Sequence, residues 1–486
     1  MSSPQPVLAS VSGQLQDNPY LETLNRQKAS FKRRGAPTCD QRKEHLTRLQ
    51  KAVIQYKDQL VEAAQSDFGH RSPHETLASE VLAVAGEAAA HKGKLKKWMK
   101  PQKAPFSFQA AGAKGQIMYQ PKGVVGILGA WNYPVAMIFS PLVGVLGAGN
   151  HCMIKPPDLT PAVGEVAKEL IANNFDEDHV TVITGDVTVA AQFAELPFNH
   201  LMFTGGTSIG QKVMQAAAKN LTPVTLEMGG KSPVIISRNY PIEKAVDRLL
   251  MGKCVNSGQT CIAPDYILLP EEKEQEFVNY ITARYAERYP SLVNNQDITW
   301  IINDRHHQRV LGLIEDARNK GANVIQVNPQ NEQLPEGSRV VPPTIITGVN
   351  SEMAVMQQEI FGPVLPVKTY KHISEAIQYV NDGPRPLALY YFDENMDTAQ
   401  EVLSQTVSGG ACVNDTMLHI AHENLPFGGS GPSGLGRYHG FDGFEEFSHK
   451  KGVLFQNKRM APSKYVKAPY PDKALKVMNY FTKFLG

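Results

Sequence analysis

Three short stretches carry residue types that could do chemistry together. In Asn256-Ser257-Gly258-Gln259-Thr260-Cys261 a cysteine follows Asn, Ser, Gly and Thr, which favour a loop over a packed strand. A free cysteine is more often a small buried hydrophobe than a nucleophile, and a catalytic role needs an exposed thiolate with oriented partners. Leu226-Glu227-Met228-Gly229-Gly230-Lys231-Ser232-Pro233 sets a carboxylate after an apolar run and before two glycines, where backbone can turn sharply. On its own that glutamate fits a solvated or lysine-paired loop carboxylate equally well. Phe203-Thr204-Gly205-Gly206-Thr207-Ser208-Ile209-Gly210 follows an expected strand and opens an expected helix, a junction whose backbone N–H groups suit a phosphate. Its spacing is not G-x-G-x-x-G, and glycines cluster again at 144–149 and 428–436, so some of them only let backbones approach closely.

An α/β framework must position these residues. A chain of 486 residues exceeds one ordinary core, which predicts two or three domains. From about Cys39 to Lys100, apolar residues recur at helical spacing (Leu46, Leu49, Val53, Ile54, Leu60), and the stretch reads as a solvated helical lead-in. A strand is expected over 116–120, ended by Pro121-Lys122-Gly123. Strands over 124–128, 152–154, 180–183 and 201–203 then alternate with helices over 141–147, 162–172 and 187–194. That alternation predicts a parallel, doubly wound sheet with its ligand at the carboxyl ends of the strands. A second α/β stretch from Pro233 to about Asn414 carries strands over 266–269, 324–327 and 387–392. A short amphipathic helix is expected over 473–485.

Composition excludes several classes. Apolar content of 42% and charge of 20% are those of a globular protein, and a net charge of +2 gives no field for nucleic acid. The five cysteines are odd in number, scattered and without a CxxC pair, which argues against a disulfide framework or a cysteine zinc site. Cys254 is expected to pack on a helix and Arg305-His306-His307 to open a solvated one. His419, His422 and Glu423 read as pocket-rim or interface residues rather than metal ligands. The N-terminal MSSPQPVLAS has neither the basic nor the apolar region of a signal peptide. Apolar runs break before the ~18 residues of a membrane span. No membrane span, no nucleic-acid partner and a cytoplasmic location are expected.

Seven runs, in order, resemble the aldehyde dehydrogenase superfamily. They are Trp131-Asn132-Tyr133-Pro134, Lys155-Pro156-Pro157-Asp158, the 203–210 loop, 227–233, 256–261, Glu359-Ile360-Phe361-Gly362-Pro363 and Pro426-Phe427-Gly428-Gly429, and the likeness spans roughly 40 to 450. Asn414-Asp415-Thr416, His419, Tyr438-His439-Gly440 and Phe447-Ser448-His449 look like the class 3 branch, nearest to the coniferyl aldehyde dehydrogenases. The resemblance implies an α/β fold with three parts. A Rossmann-type cofactor domain (1–105 and 124–230) keeps the helical N-terminal part, a catalytic domain spans 231–425, and 106–123 with 426–486 form a β-strand oligomerisation arm and tail.

It also implies NAD(P)-dependent oxidation of an aldehyde to an acid through a cysteine thioester. Cys261 falls at the nucleophile, Glu227 at the general base, and Asn132 with the Cys261 N–H at the oxyanion hole. Trp131, Lys155, Asp158, Gly205, Gly206, Gly210, Glu359 and Phe361 fall on the cofactor side, with Lys155 and Glu359 at the two riboses and Phe361 near the nicotinamide. NAD is the expected cofactor, NADP the alternative, and a homodimer the expected assembly. Three residues depart from the family pattern: Gly206 stands for a serine that contacts the pyrophosphate, Asp158 for a glutamate on the adenosine ribose, and Ser257 for an alanine. A coenzyme A-acylating relative is a rival that Glu227 argues against, and a non-catalytic protein of the same fold is one that the complete site argues against.

Overall fold

Val124–Leu128 is buried at all five positions, the pattern of a strand covered on both faces. In the computed structural model, which describes residues 17–107, 110, 112–457, 467–470 and 472–485, it is the centre of the first sheet. The N-terminal ten residues discussed above lie outside the described range. In chain order the strands are β1 (Gln102–Lys103), β2 (Lys114–Pro121), β3 (Val124–Leu128), β4 (His151–Lys155), β5 (Val180–Val182), β6 (His200–Gly205), β7 (Val224–Met228) and β8 (Pro233–Ile236). They continue as β9 (Tyr266–Pro270), β10 (Asn323–Gln326), β11 (Thr344–Thr347), β12 (Val364–Tyr370), β13 (Ala388–Phe392), β14 (Gly410–Val413), β15 (Gly434–Leu435) and β16 (Ser448–Phe455).

The first sheet runs β15-β7-β6-β3-β4-β5 and is parallel except at β15. The second runs β10-β11-β12-β9-β8-β13-β14 and is parallel except at β10. The expected strands coincide with observed ones to within a few residues. The helix expected to begin at Pro141 begins at Ala136 instead. Its start is fixed by a carboxylate from far away: Glu80 accepts from the N–H groups of Val135 (2.7 Å) and Ala136 (3.1 Å).

Two expectations are corrected. The lead-in is not a solvated one. Its helices Leu21–Arg34, Cys39–Gln55, Lys57–Phe68 and Leu82–Trp98 bury Leu46, Leu49, Val53 and Leu60 in the same core as Val143 and Leu146 of the helix Ala136–Ala148. Only Ile54, at the edge of the apolar stripe, is left 44% exposed. Segment 426–447, expected in the arm, belongs with the first sheet, because β15 pairs with β7 and the Phe447 ring lies against Gly144. Gly434 permits this return: its φ is +157° and a Cβ there would lie 2.6 Å from the Leu226 carbonyl oxygen. The third sheet, β1-β2-β16, is antiparallel and takes in Gln102–Lys103, just before the expected start of the arm. A helix spans Asp472–Leu485 as expected, and no helix among the described residues is long and apolar enough to cross a membrane.

Candidate active site

The residues singled out in the first sheet all sit at the carboxyl ends of its parallel strands. Trp131 and Asn132 follow β3, Lys155 ends β4, Gly205 ends β6, and Glu227 is next to last in β7. The Cys261 loop lies between β8 and β9 of the second sheet, after the helix Ile242–Cys254.

That loop has an unusual backbone. Asn256, Ser257 and Gly258 have φ of 53°, 50° and 72°, three left-handed residues in succession. For Asn and Ser such a conformation costs about 1–3 kcal/mol each and persists only when the surroundings over-determine it. Here they do. The Asn256 N–H donates to Glu75 (2.9 Å), and its side-chain amide donates to the carbonyls of Asn132 (2.9 Å) and Gln259 (3.0 Å). The Ser257 hydroxyl donates to the Thr299 carbonyl, and Gln259 donates to Asn256 and Trp300, both at 3.0 Å. Gly258 faces the Gly362 carbonyl oxygen, 2.5 Å from where a Cβ would stand. Cys261 is left half-buried, with the N–H groups of Cys261 and Ile262 toward its sulfur. Burial, then the Glu227 and Glu359 carboxylates, push its thiol well above the ordinary cysteine range. The other cysteines have different settings: Cys152 is buried within β4, and Cys254 ends its helix bonded to Tyr289.

Glu227 lies between Thr204 of β6 and Gly434 of β15. It is 2% exposed and neither carboxylate oxygen has a hydrogen-bond partner among the described residues. Burial raises its carboxyl well above the usual range. An orphaned buried acid in a native fold calls for a water or a ligand. Glu359 folds over the Gly229-Gly230 turn, accepting from the Gly230 N–H at 3.1 Å. Burial foremost, then Asp265, pushes its carboxyl up to about 8. A Cβ on Gly229 would lie 2.3 Å from the Glu359 oxygen, so this turn needs glycine. Asn132 donates one side-chain N–H to the Gln259 carbonyl (3.1 Å), which orients the amide and leaves its second N–H available.

The cofactor side is built more loosely. Lys155 is 2% exposed, yet its ammonium has no hydrogen bond or ion pair among the described residues. Burial lowers its pKa, and the nearby charges of Asp158 and Asp186 act the other way. Asp158 is exposed. Asp186, which sequence reasoning missed, caps the helix Val187–Ala194 through the N–H groups of Thr188 (2.9 Å) and Val189 (3.2 Å). A capping Asp one residue before an expected helix was the available signal. Gly206 is the N-cap of the helix Thr207–Ala218, and a Cβ there would meet nothing within 4 Å. Gly205 and Gly210 are packing glycines instead, with Phe203 and the Met228 sulfur 2.6 and 2.5 Å from their added Cβ atoms. An open helix start and a buried, unpartnered ammonium fit a dinucleotide's pyrophosphate and ribose.

Trp131 and Phe361 meet, ring centroids 5.3 Å apart, and Phe361 has a φ of 49°. His306 lies 5.1 Å from Trp131 on another side. This corrects the reading of 305–307 as merely a solvated helix start, since burial lowers the His306 ring to about 4. His419 is buried against Tyr390 and Phe427, His422 is exposed, and among the described residues no His, Cys, Asp and Glu cluster could hold a metal. Arg71, Glu75 and Glu80, all beneath the site, were missed because nothing in a lysine- and glutamate-rich helical stretch marks Arg71 and Glu80 as buried or Glu75 as a partner of the Asn256 backbone.

The model of the aldehyde dehydrogenase family matches residues 7–453. A probable coniferyl aldehyde dehydrogenase of Caulobacter vibrioides is 46% identical over 93% of this chain and 94% of its own length. A coniferyl aldehyde dehydrogenase of a Pseudomonas species is 43% identical over 92% and 93%. The solved, substrate-bound structure of Staphylococcus aureus AldH matches with a TM-score of 0.87 and 36% identity, over 96% of this chain and 99% of that one. Aldehyde oxidation with NAD or NADP and the Rossmann-type α/β fold follow from these likenesses. The chain belongs to the aldehyde dehydrogenase family.

Proposed function

We propose that this enzyme oxidises bulky apolar or aromatic aldehydes, coniferyl aldehyde among them, with Cys261 as nucleophile. One observation carries the reading: a half-buried thiol, an unpartnered buried carboxylate and an oriented amide converge from two domains. Cys261 gives up its thiol proton to solvent water, and the thiolate so formed attacks the carbonyl carbon, whose oxygen takes up negative charge. The free N–H of Asn132 and the backbone N–H of Cys261 are the donors for that charge, each worth about 2.7–4 kcal/mol in such sites. Bound nicotinamide supplies the two-electron acceptor that turns the cysteine adduct into a thioester. Glu227 then takes a proton from water, which attacks the thioester carbonyl and releases the acid and the Cys261 thiol. A carboxyl whose acidity burial weakens is the stronger base when ionised, which suits that task.

Lys155 and Asp158 would hold the adenosine ribose, Gly206 at the open helix start the pyrophosphate, with Gly205 and Gly210 letting that turn pack against Phe203 and Met228, and Glu359, Phe361 and Trp131 the nicotinamide end. Names of the relatives support the aromatic substrate. The β1-β2-β16 sheet is the proposed arm of a homodimer, since β16 is an edge strand with Leu454 60% and Phe455 52% exposed. Free cysteines throughout suit the reducing cytoplasm. Following reduced cofactor across an aldehyde series tests the substrate class. Cinnamaldehydes or octanal should exceed acetaldehyde in kcat/KM by at least about tenfold, from ~1–3 kcal/mol per apolar contact. A preference for acetaldehyde would overturn it.

A further inference from the structure

Beneath the Cys261 loop, the first hundred residues supply a polar clamp that joins both halves of the site. Arg71 and Glu80 form an ion pair at 3.0 Å with both side chains 0% exposed. The Arg71 guanidinium lies over the Phe68 ring (4.5 Å to the centroid) and near the Tyr133 ring (5.2 Å). From there it donates to the Asn132 carbonyl at 2.9 Å. The same carbonyl accepts from the Asn256 side chain, also at 2.9 Å, so one oxygen ties the lead-in, the 131–134 turn and the nucleophile loop together. Glu75 makes the second tie. One of its oxygens accepts from the Asn256 N–H (2.9 Å) and the other from the Thr299 hydroxyl (2.6 Å), while the Thr299 carbonyl accepts from Ser257.

We propose that Arg71 and Glu75 are positioning residues for aldehyde oxidation, holding Asn132 and the left-handed Asn256–Gly258 turn in one register so that the oxyanion donors keep a fixed relation to the thiol. This rests on the roles proposed for Cys261 and Asn132. Buried ion pairs add little net stability, because desolvation offsets their attraction, so stability alone is a poor account of charges here. Geometry is a better one. A guanidinium fixed by an acid and two rings presents its donors in one orientation. A carboxylate makes a stronger bond to an N–H than a neutral acceptor does, which holds the strained turn in place.

The test compares Glu75→Ala, Glu75→Gln and Thr299→Val with the wild-type chain. Rapid mixing with saturating aldehyde and NAD gives the rate of the first turnover, counted per iodoacetamide-titratable Cys261. The dissociation constant for NAD is measured alongside. Displacement of reacting groups by about 1 Å costs up to ~10²-fold, so Glu75→Ala should slow the first turnover per site by roughly 10- to 100-fold with NAD binding unchanged. Glu75→Gln should recover most of the rate, because its amide oxygen still accepts from Asn256. A merely structural role would lower the number of titratable sites and leave the rate per site intact, which would overturn the proposal. Equal loss in Glu75→Gln and Glu75→Ala would overturn it too. If Glu75→Ala does not fold, Thr299→Val decides the matter: a slower rate per site supports the clamp and an unchanged one refutes it. A wild-type chain that oxidised no aldehyde would sink the functional reading itself, a result distinct from a wild type that turns over and is matched by Glu75→Ala.

Discussion

Around Cys261 residues 256–259 are held by partners from three other segments, whereas the Lys155 ammonium makes no hydrogen bond or ion pair among the described residues and a Cβ on Gly206 would meet nothing within 4 Å. The first region stores strain, three successive left-handed residues, together with the buried acid Glu227, which burial pushes toward its protonated form. In the second, neither Lys155 nor Gly206 is left-handed, and the ammonium of the buried Lys155 makes no hydrogen bond or ion pair among the described residues. The contrast follows from what each must do. Groups that stabilise charge in a transition state must be in place beforehand, because moving them costs rate. Groups that bind a cofactor can be completed by it, because the same ligand returns in every turnover. Changes in the first region should therefore appear in rates, and changes in the second in affinities and cofactor ratios.

The largest expected effect is that of Cys261→Ala, which should remove aldehyde-dependent NAD reduction altogether, while Cys412→Ser retains substantial turnover. Iodoacetamide inactivation through any cysteine other than Cys261 would break the comparison at its root. Next comes Asn132→Ala. Losing one oxyanion donor should slow the first turnover by about 10²–10³-fold and leave the dissociation constant for NAD unaltered. A matching change in NAD affinity would show that the two regions are not separable. Smallest is Asp158→Glu on the cofactor side. The longer acid should accept from the ribose 2′-hydroxyl and repel a 2′-phosphate more strongly. It should raise the NAD/NADP ratio of kcat/KM by up to about tenfold, or ~1.4 kcal/mol, with the aldehyde KM unmoved. A flat ratio would assign cofactor choice to the other acid beside Lys155, Asp186.

The strands of both parallel sheets are legible because buried strands read as short apolar runs between turn residues, as at Val124–Leu128 and Ala388–Phe392. The motif residues are legible because their order matches a family. The clamp is not: Arg71, Glu75 and Glu80 have the composition of an exposed helix, and only tertiary packing distinguishes a buried arginine from a solvated one. The same limit hid the contact of His306 with Trp131, 175 positions apart in the chain and 5.1 Å apart in the fold. Helix starts fail for a related reason, since the N–H groups near Ala136 are capped by Glu80 from 56 residues away, and no local residue announces it. The pairing of segment 426–447 with the first sheet is not legible either, because the family pattern assigns the whole tail to the arm and the glycines signal close approach without saying to what.

Rapid mixing of Glu227→Gln with aldehyde and NAD, followed through the first turnover and into the steady state, tests the thioester mechanism most directly. Gln keeps the volume of the buried side chain and cannot take a proton from water. One equivalent of reduced cofactor per Cys261 should appear rapidly and then give way to a steady state at least about 10²-fold slower than wild type, the range of general-base catalysis. The sign of the pH response follows from the raised carboxyl. In the wild type the basic carboxylate form grows as pH rises toward its elevated pKa, so deacylation should quicken with pH, and in Glu227→Gln this rise should vanish. A Glu227→Gln enzyme with no burst, wild-type turnover and the wild-type pH profile would contradict the account.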